Sequence, residues 1–140
     1  MLEMDEWTLT KDYVNRFVAE KKAYSEDCVA AMAKVRRALD KFETTFYAKD
    51  KLLCKKNIIL TLYAINEHIP TEHLRSFTEY FETNRNAAIV ASKNNQVCDP
   101  TLIEFSRLLQ QGADKKNSIQ RRCEIILSHY YDYSKVQTTV

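Results

Sequence analysis

The chain has 140 residues, of which 45% are apolar and 29% charged, with 21 basic against 19 acidic side chains and a formal net charge of +2. That is the size of one domain with enough apolar content for a core, and so even a charge balance neither demands nor excludes a polyanionic partner. One glycine and two prolines exclude a sheet built on tight hairpins, and one glycine leaves no Gly-rich phosphate loop.

Residues 1–7, MLEMDEW, read as a frayed lead-in without the basic start and apolar stretch of a signal peptide. Thr8 or Thr10 can cap a helix over about 9–23, with Leu9, Tyr13, Val14, Phe17 and Val18 as its apolar face. Ser25 caps the next helix, and Glu26 and Asp27 suit the positive end of its dipole. That helix carries the strongest periodicity in the chain. Cys28, Met32, Val35, Leu39, Phe42 and Phe46 step by four and three, which sets all six on one stripe that other helices must cover. It ends near Tyr47–Asp50.

Asp50 is the expected cap of a helix over about 51–67, in which 58–65 is apolar on nearly every side and is expected to be the most buried stretch. Pro70 stops it, and Thr71 caps a helix carrying Leu74, Phe77, Tyr80 and Phe81. Asn84, Arg85 and Asn86 suggest a break before the pattern resumes over Ala87–Ala91. Residues 93–98 form a polar loop. Asp99-Pro100 opens a helix with Leu102, Phe105 and Leu109 inward, and Gly112 follows its end in the position that favours a left-handed residue. Asp114 or Asn117 starts the last helix, where Ile119, Cys123, Ile126, Tyr130 and Tyr133 repeat the four-three rhythm. The tail from Ser134 to Val140 is expected to fray. The expectation is therefore all-α: a single domain over 1–140, folded as an antiparallel bundle of about five to seven helices.

No apolar run approaches the roughly 18 residues of a membrane span, so no membrane association is expected. Cys28, Cys54, Cys98 and Cys123 match no zinc spacing, which points to reduced thiols and a cytoplasmic location. His68 and His73, with Glu67 and Glu72 beside them, straddle Pro70 instead of sharing a helical face, so no metal and no cofactor is assigned.

In the last helix Arg122, His129 and Tyr131 spell R-x6-H-x-Y. This resembles the R-x4–6-H signature of HEPN domains, small all-α bundles, often dimeric, many of which cut RNA without a metal. The resemblance implies Arg122 as a phosphate and transition-state stabiliser and His129 as an acid/base. Three basic clusters offer a different function. Lys34, Arg37 and Lys41 lie on one face of the seam helix; Lys51, Lys55 and Lys56 begin the third helix; Lys115, Lys116, Arg121 and Arg122 begin the last. Brought together, they could follow a nucleic-acid backbone.

The remaining reading starts from surplus. Eight Tyr, six Phe and one Trp exceed what so small a core holds, and aromatic side chains carry much interface energy. Tyr130, Tyr131 and Tyr133 spread over more than one face of the last helix, which makes it a candidate homodimer interface. The leading expectation is a small helical interaction module, binding a protein partner or itself through an apolar or aromatic helix face. A nucleic-acid-binding subunit and a HEPN-like ribonuclease are the alternatives.

Overall fold

The computed structural model describes residues 26–138. The expected lead at 1–7, the helix expected over 9–23 and the last two residues lie outside them. Five α-helices follow one another: α1 Glu26–Thr45, α2 Lys56–Ile65, α3 Thr71–Lys93, α4 Pro100–Gln110 and α5 Lys116–Thr138. Two 3-10 turns, Lys51–Leu53 and Asn66–His68, flank α2. No strand occurs among the described residues, and the all-α bundle expected from the periodicity is the fold. No described helix is long and apolar enough to cross a membrane.

Local chemistry sets most boundaries. Asp99 accepts the Thr101 amide at 2.9 Å and Pro100 fills the first helical position, so α4 begins where its cap dictates. Gly112 follows α4 with φ +58°, a conformation that costs glycine little. Three boundaries depart from expectation. The helix expected over 51–67 is divided, because Asp50 accepts the amides of Tyr47 and Leu52 and so winds a 3-10 turn first. No break occurs at Asn84–Asn86. Arg85 is buried there, ion-paired with Glu82 and hydrogen-bonded to Ser106, and α3 runs straight through. The last helix continues past Ser134 to Thr138, where the Thr138 hydroxyl donates to the Ser134 carbonyl.

The core gathers around fully buried Leu62, Ile65, Ile69, Leu74, Phe77, Phe81, Phe105, Ile119 and Ile126. Burying a side chain of this size contributes about 1.5–3 kcal/mol. Phe81 meets Phe105 edge-on at 4.8 Å, and Phe77 meets Tyr130 at 5.2 Å, so aromatic pairs join α3 to both α4 and α5. Thr101 reaches His129 while Leu108 reaches Arg122, which places α4 and α5 antiparallel. Asn57 reaches Leu109 and Thr61 reaches Arg122, so α2 packs on the end of α4 and the first turns of α5.

α1 rests on the bundle only through its second half. Ala38, Phe42 and Phe46 are buried, and the Lys41 ammonium donates to the carbonyls of Asn66 and Ile69. The six-residue stripe is therefore only partly covered: Met32 and Leu39 stay 54% and 56% exposed. The helix turns Ala38 inward, one position before Leu39 and so about 100° round the axis. The small side chain, not the large one, marks the closest approach.

Candidate functional site

Arg122 is the largest fully buried side chain in the described chain. Its Nε donates to Thr61 Oγ1 at 3.0 Å, and its Nη1 donates to the carbonyls of Leu108 at 3.0 Å and Ala113 at 2.8 Å. Those carbonyls belong to the last turn of α4 and the turn after it, where orphan acceptors and the negative dipole end favour a cation. Nη2 has no partner, and burial lowers the pKa of the group. The side chain ties α2, α4 and α5 together and reaches no surface. It neither borders solvent nor shares a cleft with His129, as the R-x6-H-x-Y reading requires.

His129 sits two turns further along, on an open groove of about 470 Å³. Tyr80, Asn84, Ala87 and Ala91 of α3 form one wall, and His129 and Asp132 of α5 the other. The Thr101 hydroxyl donates to Asp99 Oδ1 at 2.7 Å. Its lone pair then accepts from His129 Nε2 at 3.0 Å, which fixes the tautomer with the proton on Nε2. Asp99 Oδ2 lies 3.6 Å from the same nitrogen. The Thr101 hydroxyl, chiefly, holds the Asp99 carboxyl below its usual range against the opposing effect of burial; the Thr101 amide and His129 add to it. His129 is thus clasped to the start of α4. Tyr131, the third member of the pattern, points out at 52% exposure.

The tyrosines divide. Tyr130 is buried against Phe77, with its hydroxyl 3.2 Å from His73 Nδ1. Tyr133 is wedged between Phe77 and Tyr80 and donates to Ser76. Of the three tyrosines proposed as an interface, Tyr130 is a core residue, Tyr133 is half-buried, and Tyr131 alone is exposed.

The basic clusters divide too. Lys34 lies 3.9 Å from Glu67, Arg37 is exposed, and Lys41 is spent on the Asn66 and Ile69 carbonyls. Arg121 is held by Glu104 at 2.9 Å and by Glu124 at 3.1 Å, so its charge is matched. Parts of the other two clusters come to one place. Asn57 donates to the Leu109 carbonyl at the end of α4, which brings Lys55 and Lys56 to the end of the bundle where α5 begins with Lys115 and Lys116, whereas Lys51 follows Asp50, which is ion-paired with Arg75 at the start of α3. The cluster on α1 faces Glu67, at the opposite end of α2.

Three of the large exposed apolar side chains lie on α1. Val29, Met32 and Leu39 are 51%, 54% and 56% exposed, and no residue from Glu26 to Arg37 is buried. Spacings of three and seven put them on one line of the helix. Sequence periodicity marked Met32 and Leu39 but assigned them to the core, and it passed over Val29. It also missed Asp99 and Thr101 as partners of His129, since nothing local links positions nearly thirty residues apart. Comparison with protein-family models, with curated proteins and with solved structures gives no match.

Proposed function

We propose that this chain is a helical interaction module that docks another polypeptide, in the first instance a second copy of itself, along the apolar line of α1. The observation that carries the reading is the half-exposure of Val29, Met32 and Leu39 on a helix none of whose first twelve residues is fully buried. Covering the exposed half of each contributes about 1 kcal/mol per side chain. Arg36 and Glu43 are both exposed and seven residues apart on the same side of α1, so two copies offer each other opposite charges. The other large exposed apolar side chains, Tyr47, Tyr80, Val90, Val97, Tyr131 and Val136, are spread along the chain outside α1.

The test is mass in solution. Light scattering on the wild type at rising concentration is expected to move from monomer towards dimer. The double variant Met32→Glu, Leu39→Glu is expected to stay monomeric with unchanged helicity, since both positions are already wet. Identical monomer masses for wild type and variant across the range would remove self-association through α1.

A further inference from the structure

Beyond any docking on α1, we propose that the end of the bundle where α2 and α5 begin binds the phosphate backbone of nucleic acid. Four lysines converge there: Lys55 and Lys56 from one segment, and Lys115 and Lys116 from another about sixty residues later. The Asn57–Leu109 and Thr61–Arg122 contacts fix the convergence: both helices start within five or six residues of them, roughly 8–9 Å along each axis.

Three further features make this end electropositive. Neither α2 nor α5 has an acidic residue in its first turn, and Lys55 stands at the α2 cap position without a side-chain cap. Lysine there opposes the helix dipole, so helix stability does not account for it. Asp114 is the one acidic residue within 111–118, and none lies within 54–57. Beneath the lysines lies the buried Arg122 guanidinium, with neutral acceptors only and an unpartnered Nη2.

The chemistry of this surface selects the partner. None of the large exposed apolar side chains lies within residues 48–57 or 111–118. A protein interface needs apolar anchors at its centre, and a membrane-inserting surface needs an apolar face. Lysines alone suit a sequence-independent phosphate backbone.

The experiment is fluorescence anisotropy of the full 140-residue chain with a labelled twenty-nucleotide oligonucleotide, in parallel with co-sedimentation on phosphatidylserine vesicles. Three or four phosphate contacts give a log–log salt slope of about −2 to −3.5, hence about a twenty- to hundredfold loss of affinity from 50 to 200 mM salt. Lys55→Glu, Lys56→Glu, Lys115→Glu combined is expected to weaken binding more than tenfold. Lys93→Glu, at the far end of α3, is expected to change it less than twofold. Circular dichroism checks that both variants fold, as all four lysines are exposed. No oligonucleotide binding at 50 mM salt, equal binding by the triple variant, or binding to vesicles without binding to oligonucleotide would each overturn the proposal.

Discussion

Replacing Arg122 by methionine keeps most of the buried stem but removes every donor. Three hydrogen bonds disappear, to Thr61 Oγ1 and to the carbonyls of Leu108 and Ala113. Hydrogen bonds to a charged group contribute about 1.5–3 kcal/mol each, and each buried acceptor left alone costs about 1–3 kcal/mol. Against this, burying an arginine without a carboxylate is itself unfavourable, and methionine relieves that cost. The expected net loss is about 3–5 kcal/mol, a large part of the roughly 5–15 kcal/mol available to a domain. In urea melts followed by circular dichroism, the midpoint should fall with little change in slope. Thr61→Val should cost about 1–2 kcal/mol, and the double variant should cost less than the sum of the two, because both remove the same bond. A loss below 1 kcal/mol for Arg122→Met, or strict additivity with Thr61→Val, would refute the view that this side chain fastens three helices.

Other outcomes follow from the same geometry. Burial works to raise the Asp50 pKa, but the Leu52 and Tyr47 amides and Arg75 outweigh it and leave it below its ordinary value. The folded state then binds this proton less readily than the unfolded chain. The carboxylate's contribution is complete above the unfolded value of about 3.9 and disappears as pH falls through the folded one. Asp50→Asn should therefore lose stability at neutral pH and show a flatter acid limb below about pH 4 in urea midpoints; an unchanged acid limb would contradict this. Burial pushes the Cys123 thiol up to about 11, whereas Cys54 is exposed. A thiol-exchange reagent at pH 8 should consume Cys54 first and Cys123 last, with the gap closing in denaturant; equal native rates would count against it. Gly112→Ala places a side chain at φ +58° with its Cβ 3.3 Å from Lys115 Cδ, and should cost about 1 kcal/mol in the same melts. A stabilised variant would contradict the assigned turn.

The features legible in the sequence are those whose cause is local. Asp99-Pro100 and Gly112 bracket α4 because a cap, a fixed φ and a left-handed residue act within a few positions. The apolar run at 58–65 reads as central, and it supplies Ile58, Thr61, Leu62 and Ile65 to the interior. Features set at a distance were hidden. Asn84–Arg85–Asn86 looks like a break until Arg85 meets Ser106, twenty-one residues on. Arg122 looks like a surface arginine until Thr61 and the end of α4 close over it. The seam on α1 was read in the right helix but at the wrong rotation, since periodicity states that a stripe exists and not which edge of it the neighbour touches.

The way α1 is mounted has a bearing on how the protein can change. Among the described residues, its first three turns place no fully buried side chain in the core, so substitutions at Val29 or Met32 should scarcely register in a global melt. A surface uncoupled in this way can alter its preferences one side chain at a time while the remaining helices keep the molecule folded.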